Sequence, residues 1–444
     1  MKLNREKVLN DLISMIRLKT VSCADGSGKK TDREVFGRFR QLVRERFPVL
    51  FEKGEGWAVG NYGLLIRIRG KSEDKPSVLM AHMDVVDADP AEWDFDPFAG
   101  IESEGRILGR GALDTKSTLC SILEAMDFKI RNGFVPKHDI WLSFGGEEEI
   151  CGDSCAEIVT FLKERGVKPA FVLDEGGSVI PEGLPGVRKP AAVIGIAEKG
   201  TVNYILSIGH EGGGHASVPP KHTVIGRLSR AAVRIEEHPF PARITEPVCE
   251  MFRQLSDEVP VYERPVFKHP ELMGPAIAAA ASCLGGTFNA MVRTTCAVTI
   301  MEGHSAFNVL PDSAAMGVNV RLLPGDTIES AKEYLKSVVR DPGIEIGVIS
   351  GSEASPVSPV DCDEYRLLKE VILETWPGAI AAPYQLNGGT DSRFYTEIAG
   401  NVYRFSPMIM TKEDRASVHG KNEAIRVGTY LKMIRFYIRL IERL

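Results

Sequence analysis

The 444-residue sequence has no uncharged apolar run long enough to span a bilayer, so we predict no transmembrane helix and no membrane partner. It has no excess of positive charge either. The formal net charge of −6 argues against nucleic acid as the main partner. The first residues, 1–7, lead into an amphipathic helix pattern and lack the apolar segment of a signal peptide. Together these absences predict a cytoplasmic protein.

Cysteine is sparse, with eight residues scattered over the chain, and this usage is typical of reduced thiols in a cytosolic protein. Cys151 and Cys155 form the only close pair, but their spacing differs from that of a zinc knuckle, so we interpret them as structural. Internal repeats and low-complexity tracts are also lacking. The remaining composition, 43% apolar and 26% charged, is that of an ordinary globular protein whose length predicts two domains.

The first two hundred residues alternate between helix-like and strand-like patterns. Because several of the strands are continuously apolar, they predict an α/β fold whose mixed sheet is covered by helices on both faces. The predicted helices are 5–17, 32–46 and 116–132, and the predicted strands are 63–68, 78–85, 140–144 and 170–173.

From Lys199 the pattern changes to the order β-α-β-β-α-β, which is typical of a ferredoxin-like module. A Pro-rich stretch at 238–270 is expected to be a loop-rich insertion within it, and 423–444 a terminal helix. We therefore expect a discontinuous catalytic domain, 1–197 and 353–444, with an inserted domain at 198–352. The predicted elements of the insertion are strands 201–209, 294–301, 314–322 and 344–349 and helices 223–237 and 327–340.

The strand that ends in His82-Met-Asp84 carries the most informative motif. Side chains alternate along a strand, so this imidazole and this carboxylate share one face. A carboxylate beside a histidine is the usual means of orienting a metal ligand. A local hydrogen bond without a metal would produce the same pair, so further ligands are needed to support the hypothesis.

Further acids and a histidine follow strands or precede helices in the same domain. Three apolar strands thus end in potential ligands, and ligands of open α/β sheets bind at the carboxyl ends of the strands. Histidine with several carboxylates suits Zn²⁺ first, and Mn²⁺ or Co²⁺ as alternatives. These residues are Asp114 before a helix, the triplet Glu147-Glu148-Glu149, Asp174 before Glu-Gly-Gly, and His419.

Each of these residues has a simpler interpretation when it is taken alone. Asp114 could cap the helix that follows it, and the acid triplet could be a solvated turn. Asp174 could be a turn residue, and His419 an ordinary loop histidine. Five such coincidences within one domain are improbable, which favours a metal site.

The motifs, in this order and spacing, resemble the co-catalytic zinc hydrolases that include carboxypeptidase S, aminoacylase, dipeptidases, acetylornithine deacetylase and succinyl-diaminopimelate desuccinylase. The resemblance covers nearly the whole chain. It rests on His82-Met-Asp84, Gly109-Arg-Gly-x-x-Asp114-x-Lys116, the acid pair, Asp174 and His419-Gly. The runs Leu173-Asp-Glu-Gly-Gly and His419-Gly-Lys-Asn-Glu423 lie nearest the carboxypeptidase S and N-acyl-amino-acid hydrolase branch.

The resemblance implies two divalent metal ions per chain, zinc in the first instance. Asp114 would bridge them, with His82 and Asp174 completing one site and Glu149 and His419 the other.

It further implies that Asp84 orients His82 and that Glu148 is the general base. The family commonly has Asp-Glu-Glu-x-Gly at the acid triplet, whereas this chain has Glu147-Glu-Glu-Ile-Cys151-Gly. Aligning Glu147 with the Asp gives these roles. A second frame would move base and ligand to Glu147 and Glu148.

For the inserted domain, the resemblance implies a lid and dimerisation role within a homodimer. His215 would polarise the scissile carbonyl, in relatives often from the partner subunit. Asn308, Arg321 and the Gly389–Thr390 loop would hold a substrate carboxylate. The competing interpretations are a flexible loop for His215, a solvated edge-strand charge for Arg321 and a tight turn for the Gly389–Thr390 loop.

The expected function is therefore hydrolysis of the amide bond of a dipeptide, a peptide C-terminus or an N-acyl amino acid. The alternatives are a dedicated biosynthetic N-deacylase and an inactive metal-binding relative. The presence of Asp84, Glu148 and all five ligands argues against the inactive relative.

Overall fold

The computed structural model describes residues 3–24, 28–184, 186–209, 212–304 and 306–444. The chain divides into two compact units. Unit 1 consists of Met1–Ile196, Ser358–Tyr384 and Thr390–Leu444, and unit 2 consists of Ala197–Val357 and Gln385–Gly389. The bounds lie within a few residues of those expected from the sequence, and the short run 385–389 joins unit 2. The lid and dimerisation role of unit 2 stays a prediction.

The strands, in chain order, are β1 Glu55–Val59, β2 Gly63–Ile68, β3 Ser72–His82, β4 Ile101–Ser103, β5 Arg106–Leu108, β6 His138–Gly145, β7 Phe171–Asp174, β8 Val179–Ile180, β9 Ala191–Glu198, β10 Gly200–Ile208, β11 Thr295–Glu302, β12 Ala314–Leu322, β13 Glu345–Ser352, β14 Ile380–Leu386, β15 Val402–Arg404 and β16 Ala424–Arg426.

The α-helices are α1 Arg5–Ile16, α2 Arg33–Arg46, α3 Pro48–Lys53, α4 Lys116–Arg131, α5 Ser154–Glu164, α6 Val224–Glu237, α7 Glu246–Leu255, α8 Arg264–Lys268, α9 Gly274–Leu284, α10 Gly286–Met291, α11 Ile328–Val339, α12 Asp363–Thr375, α13 Ser392–Tyr395, α14 Lys412–Ser417 and α15 Val427–Arg443. Short 3₁₀ helices cover Pro90–Glu92, Glu148–Ile150 and Pro270–Met273.

The main sheet has the strand order β1-β2-β6-β3-β7-β15-β9-β14, with β8 paired to β9. Strands β6, β3, β7 and β15 are parallel, while β1, β2 and β9 pair antiparallel, so the sheet is mixed. Every residue of β3 from Pro76 to His82 is buried. Because alternate side chains face opposite sides, both faces of the sheet are covered at β3, as the apolar runs predict.

Unit 2 contains an antiparallel sheet of strand order β11-β12-β10-β13. Its chain order, β10-α6-β11-β12-α11-β13 around the inserted helices α7–α10, is that of a split-βαβ module. The core of unit 2 includes Tyr204 and Leu206 of β10, Val318 of β12, Leu228 of α6 and Leu335 of α11. One face of this sheet therefore packs on α6 and α11.

The segment expected to be loop-rich contains two helices, and this expectation was wrong. Pro247 and Pro265 lie in the first turns of α7 and α8. Proline has no backbone N–H group, but the N–H groups of the first helical turn have no partner within the helix. Proline is therefore compatible with the start of a helix.

Among the described residues, no helix combines the length and the apolarity needed to cross a membrane. All eight cysteines are free thiols.

Candidate metal centre

The candidate ligands lie on five segments of unit 1. His82 is the last residue of β3, and Glu148 and Glu149 follow β6 in a 3₁₀ turn. Glu175 follows β7, and Asp114 lies two residues before α4. Because β3, β6 and β7 are parallel, their carboxyl ends meet at one edge of the sheet. His419, on the turn between α14 and β16, reaches the same place.

Two groups of side chains have the geometry of metal ligands. In the first, His82 Nε2 lies 3.0 Å from Asp114 Oδ1 and 3.2 Å from Glu175 Oε1. In the second, His419 Nε2 lies 3.1 Å from Asp114 Oδ2 and 2.9 Å from Glu149 Oε2. Within each group the ligand atoms lie within 4.8 Å of one another. Asp114 belongs to both groups and offers one oxygen to each.

The donor chemistry of both groups fits a divalent cation. Each group offers one imidazole nitrogen and two carboxylate oxygens, a set that suits zinc. Glu149 Oε1 is buried and has no hydrogen-bond partner among the described residues. Hydrogen bonds with Asp114 and Glu149 raise the pKa of His419 to about 10. This imidazole therefore sits where a positive charge is favoured, and a cation would replace its proton.

His82 is buried, and burial opposes its protonation. The negative charge of Glu175 and hydrogen bonds with Asp114 and Asp84 outweigh burial and raise its pKa well above the usual value. For the Asp114 carboxyl, burial acts to raise the pKa, but hydrogen bonds with His419 and His82 lower it. The shift of His82 shows that a positive charge is favoured among these carboxylates.

Asp84 is buried and connects the first histidine to the acid triplet. Its backbone oxygen lies 3.0 Å from His82 Nδ1 and its Oδ1 lies 3.3 Å from the same nitrogen. The carboxylate also accepts hydrogen bonds from the Ser22 hydroxyl, at 2.7 Å, and from the backbone N–H groups of Glu148 and Glu149. Asp84 thus directs Nε2 of His82 toward Asp114 and anchors the turn that carries Glu149.

Glu148 lies beside the first group without belonging to it, since its Oε2 is 3.9 Å from His82 Nε2. Burial raises the pKa of its carboxyl well above the usual value. Glu149, the ligand of the first alignment frame, belongs to the second group, whereas Glu148, the ligand of the second frame, belongs to neither. The distances therefore favour the first frame.

Glu175, and not the expected Asp174, joins His82 and Asp114 in the first group. Asp174 accepts hydrogen bonds from the backbone N–H groups of Glu175, at 2.9 Å, and of Ser392, at 2.9 Å. Burial raises the pKa of the Glu175 carboxyl to about 7. The sequence motifs did not distinguish Glu175 from Asp174, which directly precedes it, and Asp174 stays a predicted ligand. Which of two adjacent acids faces a site depends on the backbone direction after the strand ends.

Glu423 is a second residue that the sequence analysis did not single out. It is fully buried, and its carboxylate accepts hydrogen bonds from Arg110 Nη1 and from the backbone N–H groups of Gly111, Leu113 and Asp114, at 2.7 to 3.1 Å. One side chain therefore fixes the loop that presents Asp114. Its position at the end of the run His419-Gly-Lys-Asn-Glu423 was the sequence signal that could have identified it.

Of the expected substrate residues, His215, Asn308, Arg321 and Gly389 belong to unit 2 and Thr390 to unit 1. An antiparallel bridge between His215 and Val309 brings the first two segments together. His215 is exposed, and its Nδ1 lies 2.7 Å from Ser217 Oγ.

Arg321 is half-buried on β12. Gly389 is exposed, whereas Thr390 is buried with its Oγ1 2.7 Å from Ser392 Oγ.

Comparison with known proteins places the chain in a family. The model of peptidase family M20/M25/M40 matches residues 78–443. The chain belongs to this peptidase family. The human N-fatty-acyl-amino acid synthase/hydrolase PM20D1 is 34% identical over 423 residues, covering 94% of this chain and 84% of the relative. Carboxypeptidase S-like 2 of Dictyostelium discoideum is 31% identical over 433 residues, covering 96% of this chain and 82% of the relative.

The fold is also shared with a solved structure. The M20 family metallo-carboxypeptidase Sso-CP2 from Sulfolobus solfataricus superposes with a TM-score of 0.70 at 18% identity, covering 98% of this chain and 99% of that one. Membership of the peptidase family and the mixed α/β fold are thereby confirmed, as is the prediction of a hydrolase. The family implies divalent metal ions.

Replacing Glu423 by Gln should weaken metal binding ~10–100-fold, because an amide NH₂ would face backbone donors and loosen the Asp114 loop. Competition with a chelator measures the affinity. Glu182→Gln, an exposed acid in a loose ion pair at 3.8 Å, is the control. Unchanged affinity together with a lower unfolding temperature would instead limit Glu423 to a role in stability.

Proposed function

We propose that this protein is a two-metal hydrolase that cleaves the amide bond of N-acyl amino acids. The observation that supports it most is the Asp114 carboxylate shared between the His82–Glu175 and Glu149–His419 groups. The N-acyl amino acid is favoured over a dipeptide or a peptide C-terminus because a relative at 34% identity is an N-fatty-acyl-amino acid synthase/hydrolase.

The groups are proposed to hold two zinc ions, with manganese or cobalt as alternatives. Asp114 would bridge them, His82 and Glu175 would complete one site, and Glu149 and His419 the other. When bound, the ions supply Lewis acidity at the substrate carbonyl. Asp174, which the family resemblance implies as the ligand beside His82 and Asp114, remains a competing proposal for this position.

Glu148 is proposed as the general base. It takes a proton from the attacking water as the new carbon–oxygen bond forms, and it returns the proton to the amine nitrogen as the carbon–nitrogen bond breaks. Burial raises the pKa of its carboxyl, which makes the carboxylate a stronger base for the first transfer, and Asp84 fixes the backbone of the turn. The products are a carboxylic acid and a free amino acid.

Arg321, Asn308 and the Gly389–Thr390 loop are proposed to bind the carboxylate of the substrate, and His215 its scissile carbonyl. A guanidinium and backbone donors suit a carboxylate. The eight free thiols favour a reducing compartment, so we retain the cytoplasm as the proposed location.

A dedicated biosynthetic N-deacylase remains the second candidate. The resemblance to such deacylases supports it, and a substrate panel of acetyl, succinyl and long-chain acyl amino acids would separate the two.

The metal proposal predicts more than one equivalent of divalent metal per chain in elemental analysis of protein purified without chelator. Glu175→Ala should lower that content, because it removes an oxygen of the first group, whereas Asp174→Asn should retain most of it. The reverse order would restore Asp174 as the ligand. Full activity of metal-free protein would refute the two-metal hydrolase itself.

Glu148→Gln should retain the metals and the fold but reduce kcat by ~10²–10⁴-fold, since it removes general base catalysis. Glu147→Gln is the matched control, an adjacent acid outside both ligand groups, and it should stay near full activity. If Glu147→Gln loses activity while Glu148→Gln stays active, the second alignment frame is supported.

A substrate with a free carboxylate should be preferred over its C-terminal amide, because the amide cannot pair with a guanidinium. We expect kcat/KM to fall at least ~tenfold for the amide, the value of one charged hydrogen bond. Equal hydrolysis of both compounds would exclude a carboxylate-binding site.

We also propose a homodimer formed through residues of about 199–350, with His215 acting in the partner's site. Strands β11 and β13 are the edges of the unit 2 sheet, and they expose Ile300 and Ile349 at 51% and 67%. Exposed apolar edges favour pairing.

If His215 acts in the partner's site, inactive His215→Ala and inactive Glu148→Gln chains should regain partial activity after subunit exchange, because one hybrid site then contains both residues. Turnover before and after exchange is the measurement. No recovery despite proven exchange would place His215 in its own subunit or outside the reaction.

A further inference from the structure

A row of uncharged polar side chains lies beside Arg321 on one face of the unit 2 sheet. In β12, Val318 and Val320 point into the core against α6 and α11. Asn319 and Arg321 therefore lie on the opposite face, because side chains alternate along a strand. Their antiparallel partners on β10 are Asn203 for Asn319 and Thr201 for Arg321.

These side chains form a continuous hydrogen-bonded row. Asn203 Nδ2 donates to Ser350 Oγ at 3.1 Å, and Asn319 Nδ2 donates to Asn203 Oδ1 at 2.7 Å. Arg321 Nε then donates to Asn319 Oδ1 at 3.2 Å. Each amide has one donating and one accepting end. Because Asn203 occupies the donating end of Asn319, the accepting end is directed at Arg321.

The second contact of the guanidinium is also uncharged, since Nη1 donates to Thr201 Oγ1 at 2.6 Å. Among the described residues, no carboxylate lies within ion-pair distance of Arg321. Other arginines of unit 2 differ: Arg227 pairs with Asp341 and Arg243 with Asp326, at 2.6 and 2.9 Å. The acceptors that hold the Arg321 guanidinium, Asn319 Oδ1 and Thr201 Oγ1, are thus both uncharged.

We propose that Asn319, oriented by Asn203, is a positioning residue that fixes the Arg321 guanidinium through a neutral acceptor and so reserves its charge for the carboxylate of the substrate. This inference rests on the proposed function, in which the substrate carries a free carboxylate. Aspartate at position 319 would occupy the same space and accept the same hydrogen bond from Arg321, but it could not donate to Asn203 Oδ1. Its charge, however, would compete with the substrate for the guanidinium.

Asn319→Asp tests the inference because it changes charge with almost no change in shape. For an N-acyl amino acid, KM should rise ~tenfold or more with kcat little changed, since a charged hydrogen bond to the substrate is weakened. For the C-terminal amide of the same compound, KM, or the inhibition constant where turnover is too slow, should stay within about twofold of wild type. A merely structural role for Asn319 would affect both compounds alike.

Ser207→Asp is the matched control, because it adds the same charge to the same face of the sheet about 13 Å along β10 from Asn203. It should leave both constants unchanged. Where Asn319→Asp does not fold, as judged by thermal unfolding, Asn319→Ala should show a smaller rise in KM that is again confined to the carboxylate substrate.

Arg321→Met distinguishes a failure of the role proposed for Asn319 from a failure of the carboxylate site proposed for Arg321. If it removes the preference for the carboxylate while Asn319→Asp preserves wild-type KM, the role of Asn319 is refuted and the proposed function stands. If Arg321→Met itself leaves the preference intact, the carboxylate site proposed for Arg321 fails, and the inference fails with it.

Discussion

The shared carboxylate of Asp114 is the constraint on which the metal centre depends. Its two oxygens lie 3.0 and 3.1 Å from the imidazoles of His82 and His419, which come from segments more than three hundred residues apart. Three further carboxylates lie within 4 Å of these imidazoles: Glu148, Glu149 and Glu175. So many like charges are unfavourable when buried, and bound cations would offset their repulsion.

Two buried acids that lie outside the ligand groups hold this arrangement. Asp84 binds the acid turn through two backbone N–H groups and aligns His82, while Glu423 binds the Asp114 loop through three backbone N–H groups and Arg110. Backbone donors satisfy buried carboxylates without adding mobile side chains. The ligand positions are therefore set by the backbones of two loops.

In unit 2, uncharged side chains position a positively charged one. Its sheet places core residues on one face and a neutral row of Asn203, Asn319 and Thr201 beside Arg321 on the other. A guanidinium fixed by neutral partners keeps its attraction for an anion. Under the proposed function, these neutral acceptors leave the charge of Arg321 available to a substrate carboxylate.

The sequence by itself determined the helices and strands whose patterns are local, and the motifs at their ends. Helix α2, capped by Asp32, and helix α4 follow their predicted spans closely, because apolar periodicity and capping act within a few residues. The terminal helix begins later than expected, since Ala424–Arg426 pairs as β16 with β5, a contact that no local pattern encodes. His82, Asp114, Glu149 and His419 could be named from motifs. The placement of Glu175 beside His82 and Asp114, the support from Glu423 and the row that holds Arg321 were decided by the tertiary structure. Each depends on where distant backbone segments direct a side chain, and sequence spacing does not contain that direction.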